Sequence, residues 1–156
     1  MLQRFYADWE TRRRGREFPA RRDFDPWDLR YALGYISLLD VLRDPLRFRF
    51  RLQGIGIAER IGMDMTGKFV EAMPDRRHYH MAMEHYSAVI EARGPAVRMR
   101  RAYVTDARVW NCEVLAVPLS NNGADIDMLM SCLAWDEGGA PKYSAVPIDA
   151  GFDGRT

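Results

Sequence analysis

The sequence predicts an α+β domain: a five-stranded antiparallel sheet with helices on one face and an N-terminal helical cap. Three observations carry this. The run Arg47-Phe48-Arg49-Phe50-Arg51-Leu52 alternates strictly, three apolar side chains against three arginines, which is the pattern of a half-buried strand. Residues 77–93 place Tyr79, Ala82, Met83, Tyr86, Val89 and Ile90 on one stripe at spacings of three and four, as a single long helix requires. Three β-compatible runs follow that helix, two of them joined across Asn121-Asn122-Gly123.

Residues 3–14 read as a short helix, with Phe5 and Trp9 near one helical turn apart and Gly15 as a stop. Asp25-Pro26 reads as the N-cap and first position of a second short helix reaching about Leu33. Ile36 to Leu42 is the first strand, and Asp44-Pro45 turns the chain into the alternating run. Four glycines break Gly54 to Gly67 into short helical turns. Gly94-Pro95 ends the long helix, because proline lacks the N–H that would continue it. Strands are expected over 96–104, 109–119 and 126–135, the last pair closed by a tight Asn-Gly turn with positive φ. The expected organisation is a helical cap over 1–33, a sheet-and-helix domain over 34–136 and a flexible tail over 137–156.

Composition sets the class and excludes others. With 156 residues, 47% hydrophobic and 29% charged, the chain is large enough for one core without disulfide or metal staples. A net charge of +1 argues against a dedicated nucleic-acid binder. The N-terminus has no apolar signal region, and no apolar run approaches the roughly 20 residues of a membrane span. The expected address is the cytoplasm, with Cys112 and Cys132 reduced.

Few side-chain patterns carry chemistry. His78, His80 and His85 lie on the long helix, but His78 and His85 are seven residues apart, about 10 Å along the axis, so one ion cannot take both. His80 with Glu84 would supply only two ligands, and no metal site is expected. Gly54-x-Gly56 and Gly62 fit neither dinucleotide nor phosphate loops. Asp40, Arg101 and Glu113 interrupt apolar strand patterns; they are either pocket anchors or cross-strand partners, and pairing of Asp40 with an arginine of the next strand is the favoured reading. Cys112 and Cys132 face each other if their hairpin loop is the three residues 121–123, and lie on opposite faces if it differs by one.

The segments DFDPWDL (23–29), FRFRLQGIGIAERIGMDMTGKF (48–69) and CEVLAVPLSNNGADID (112–127) resemble a family of small PAS-like proteins found largely in alphaproteobacteria. With their connections they span about residues 18–136. The resemblance implies a non-enzymatic sensory or regulatory module whose concave face holds a ligand or whose surfaces bind a protein partner. The pocket-lining residues are then expected to be Phe50, Met65, Phe69, Met83, Tyr86, Met99 and Met130. A homodimer is expected through the N-terminal helix (Phe5, Trp9) and the outer sheet face. No catalytic residue carries over, and no resident cofactor is expected. Haem, which some PAS domains ligate from this helix, would fall to His85, and flavin photochemistry needs a cysteine before the long helix that this chain lacks. The alternatives are a small-molecule enzyme using Asp40 or His85 as acid/base, and an adaptor with a filled core.

Overall fold

A computed structural model describes residues 1–104 and 108–136. Helix α1 (Leu2–Arg13) leads, followed by two 3₁₀ turns, strands β1 (Ile36–Leu42) and β2 (Arg47–Gln53), and helix α2 (Ile55–Ile61). Helix α3 (Arg76–Ala92) then precedes β3 (Ala96–Val104), β4 (Arg108–Leu119) and β5 (Met128–Asp136). The strands form one antiparallel sheet in the order β2-β1-β5-β4-β3, so the two hairpin-linked groups meet between β1 and β5. The expected fold class is therefore the observed one.

The sheet is apolar on both faces because both are covered. On the inner face Leu39, Phe48, Phe50, Ala116 and Leu129 pack with Ala82, Tyr86 and Val89 of α3. On the outer face Leu38, Leu115, Val117, Met128, Met130 and Cys132 pack with Leu2, Phe5 and Trp9 of α1 and with Phe24 and Leu29. Trp9 is 2% exposed, and its indole N–H donates to Pro118 O at 2.8 Å. Around α1, Arg12 binds Asp8 and Asp28, and Tyr31 donates to Asp8. Phe5 and Trp9, expected at a dimer contact, are thus buried against the chain's own sheet. The reason is area: an amphipathic helix beside an apolar sheet face gains more by covering it than by staying exposed.

Several local expectations change. Residues 26–32 form successive turns with i→i+3 bonds, such as Leu29 N to Pro26 O at 3.1 Å, instead of a helix; Asp25 Oδ1 caps them by accepting from Trp27 N. The β4–β5 connection runs from Ser120 to Asp127, not through a tight Asn-Gly turn. There Asn122 Oδ1 accepts from Ala124 N and Asp125 N, and Gly123 takes the positive φ of 82°. Ile126 leaves the expected strand to fill the inner core. The longer loop sets the register Cys112↔Trp135 and Leu115↔Cys132, so the two cysteines sit on opposite faces. The expected tail, 137–156, lies outside the described residues.

Strand β2 also departs from strict alternation. Its register against β1 shifts between Leu38 and Leu39, leaving Arg51 as a bulge residue. Arg49 and Arg51 both reach Asp40, at 2.9 and 2.7 Å, so Asp40 is a cross-strand partner as favoured. Beyond the bulge Leu52 turns to the outer face and is 46% exposed, while Gln53 takes the inward position opposite Ser37. Gly54 then passes so close to residues 33–34 that an added Cβ would lie 2.8 Å from Leu33 O, nearer still to Gly34. Only glycine permits that approach, which seats the start of α2 against the turn at Leu33–Tyr35 that leads into β1.

Candidate functional site

The inner face is not filled at one end. Between the sheet, α2, the stretch before α3 and α3 itself lies a cavity of about 310 Å³. Its floor comes from all five strands: Ser37, Phe50, Gln53, Arg100, Cys112, Leu133 and Trp135. Ile57 and Ile61 of α2, Met63, Met65, Met73 and Pro74 form the walls, with Asp75, His78 and Tyr86 toward α3. Ile61, Gly62 and Pro74 are exposed and mark the mouth. An apolar cavity with a few convergent polar groups, at the low end of the 300–1,000 Å³ typical of ligand sites, is suited to one small molecule.

Of the seven residues expected to line a pocket, the structure brings together Phe50, Met65 and Tyr86. Phe69 and Met83 do not line the cavity: Phe69 lies under the Arg47 guanidinium at 3.7 Å, and Met83 packs against the inner core cluster. Met99 and Met130 are corrections. Met130 belongs to the cluster under α1, and Met99 shares the strand face of Val97 and pairs with Glu113, away from the cavity. Side chains alternate along a strand, so one position of parity moves a residue across the sheet.

The same parity brings in Arg100, which sequence reasoning missed while singling out its neighbour Arg101. Arg100 and His85 form the most constrained polar unit near the cavity. His85 is 0% exposed, its ring stacks on Tyr86 with centroids 5.7 Å apart, and its Nε2 lies 2.9 Å from Ala96 O. A carbonyl only accepts, so Nε2 carries the proton. Nδ1 then accepts from Arg100 Nη2, also at 2.9 Å. Burial, with the charges of Arg100 and Arg98 beside it, holds the His85 pKa well below its ordinary value of 6.5. The ring is therefore neutral and acts as an acceptor that aims Arg100. His85 thus faces the sheet, against the strand that follows its helix. The sequence signal was available: His85 stands three residues after Ala82 and four before Val89, on the buried side of the helix.

Cys112 contributes the one cavity thiol among the described lining residues, and burial pushes its pKa up to about 11. It stays protonated, lies on β4, and so does not supply the cysteine before α3 that flavin photochemistry needs. Haem is no better matched, because both nitrogens of His85 already hold partners. Asp75 is engaged as the N-cap of α3, and its hydrogen bond from Arg77 N lowers its pKa. Asp40 lies outside the cavity, held by its two arginines. Among the described residues no group of three His, Cys, Asp or Glu is placed to hold a metal ion. No described helix is long and apolar enough to cross a membrane.

A sheet of this order, crossed by α2 and α3 on the cavity side, defines a PAS-type fold. The chain matches the PAS domain family over residues 1–134, and it belongs to that family. Among solved structures it is similar to a light-oxygen-voltage domain studied with a flavin analogue, at 12% identity and a TM-score of 0.54. That match covers 72% of this chain and 84% of the other. It is also similar to a LOV protein of Rhodobacter sphaeroides, at 10% identity and a TM-score of 0.53, covering 74% and 70%. At these identities the likeness is one of fold. No curated protein sequence matches. PAS domains are typically sensory signalling modules, and that is the class in which this chain stands.

Proposed function

We propose that this chain is a non-enzymatic sensory or regulatory module of the cytoplasm that binds a small ligand in the inner-face cavity and reports it to a protein partner. The observation that carries the reading is the 310 Å³ cavity itself, apolar over most of its wall and floored by all five strands. An adaptor with a filled core has no such space. The enzyme reading is weakened by the state of the candidate groups: Asp40 is ion-paired away from the cavity, His85 is saturated, and the Cys112 thiol is held protonated.

A ligand acts here only through unequal affinity for two states. Of the walls that touch it, α2 follows β2 after Gly54 alone and the stretch before α3 bridges to β2 at Phe69 and Arg49, so occupancy biases how they sit on the sheet. Self-association, if it transmits the signal, uses the exposed polar side of α1 (Gln3, Arg4, Glu10, Thr11), because Phe5 and Trp9 are buried. The test is native mass spectrometry of freshly purified protein, with thermal unfolding against a library of small metabolites. A co-purified molecule, or a saturable rise in Tm of the form expected for binding to the native state alone, supports the reading. A protein that arrives empty and responds to nothing refutes it.

A further inference from the structure

The floor of the cavity carries an unbalanced set of hydrogen-bonding groups. Arg100, Cys112 and Trp135 are direct cross-strand neighbours on β3, β4 and β5, in the pairs Arg100↔Cys112 and Cys112↔Trp135. With strands about 4.8 Å apart, the two long side chains stand roughly 10 Å apart at the backbone, with the small cysteine as a notch between them. Among the described residues, the buried side-chain N and O atoms of the cavity lining that lack a partner are Arg100 Nε and Trp135 Nε1. Both are donors. Buried polar groups are ordinarily satisfied, and two orphan donors on either side of a notch ask for an acceptor from outside the chain. The guanidinium is also held in place: His85 Nδ1 takes Nη2, and the Tyr86 ring lies 5.3 Å below its central carbon. Arg60 sits over the Trp135 ring at 5.5 Å, and Arg98 shares the inner face of β3, so the local field favours negative charge.

The rest of the lining is mostly apolar, with Phe50, Ile57, Met65 and Leu133 for a ligand's body; its polar members are Ser37, Gln53, Asp75 and His78. A volume of 310 Å³ equals about ten waters at ~30 Å³ each, enough for a single ring or a short branched chain. Asp75 on the rim disfavours a dianion. We infer that the cavity takes a small monocarboxylate with a compact apolar body, its carboxylate received by Arg100 and the Trp135 indole N–H above Cys112. This rests on the cavity being a ligand site and names the chemical class of the ligand.

The test uses matched probes, phenylacetate against phenylacetamide and hexanoate against hexanamide, titrated into the full chain. Affinities are read by isothermal titration calorimetry and the contact by NMR of the indole N–H groups, with Trp135 assigned from Trp135→Phe. The acids are expected to shift the Trp135 resonance and the amides to bind at least tenfold more weakly. Arg100→Gln should lose tenfold or more for the acids, with Arg100→Lys recovering part of it and Trp135→Phe losing severalfold. Because Trp135→Phe keeps an aromatic ring at the position, it remains informative if Arg100→Gln fails to fold. Amides that bind as well as acids, or acid binding indifferent to both substitutions, overturn the carboxylate assignment while leaving the cavity a ligand site. If no acid and no amide binds, and a wider neutral library is also inert, the ligand-site reading falls with it.

Discussion

Lowering the pH should destabilise this fold through His85 in particular. In the native state the ring is fully buried, donates to Ala96 O and accepts from Arg100, so protonation would put a second cation against the guanidinium and destroy the acceptor. In the unfolded chain the same imidazole titrates near 6.5. Above that pH neither state binds the proton, and His85 adds no pH dependence. Below it the unfolded state takes up one proton that the native state refuses, so unfolding free energy falls by about 1.36 kcal/mol per pH unit. At about pH 5 the loss is about 2 kcal/mol, a large share of the 5–15 kcal/mol of a typical domain. The assay is urea unfolding of the natural protein and of His85→Gln, whose amide can make both bonds without titrating, from about pH 7.5 to 5. Other ionisable groups enter both proteins alike, so the difference between the two stabilities isolates His85. It should move by about 2 kcal/mol against the natural protein over that range. A difference that stays constant would refute the buried, neutral assignment.

Two further outcomes follow from the packing. Trp9→Phe removes the bond to Pro118 O and part of the buried ring and should cost about 1–3 kcal/mol, whereas Trp9→Ala uncovers the outer face and should cost about 3–5 kcal/mol, both read from urea midpoints. Gly54→Ala should destabilise by about 1–3 kcal/mol, because its methyl group would meet the backbone of residues 33–34; an unchanged Tm would mean that approach is not kept in solution.

Periodicity along the chain determined a good deal on its own. The alternation of Arg47 to Leu52, the stripe from Tyr79 to Ile90 and the Gly94-Pro95 stop mark elements that the structure contains, and their order defines the sheet. These signals are local: each depends on a few neighbouring side chains and the 2.0 or 3.6 repeat of the backbone. Pairing partners are not local. The β4–β5 register depends on a loop held by Asn122 and Asp127, the bulge at Arg51 on what β1 presents, and α1's place on its fit to a distant sheet face. One step of register exchanges the two faces of a strand, which moved Met99 and Met130 out of the cavity and brought Arg100, Gln53 and Trp135 into it. The sequence by itself therefore determined the PAS-type order of elements and an apolar interior that includes Phe50, Met65 and Tyr86. Tertiary structure alone decided that α1 covers the outer face and that His85 aims an arginine into an open cavity, because both depend on contacts between segments far apart in the chain.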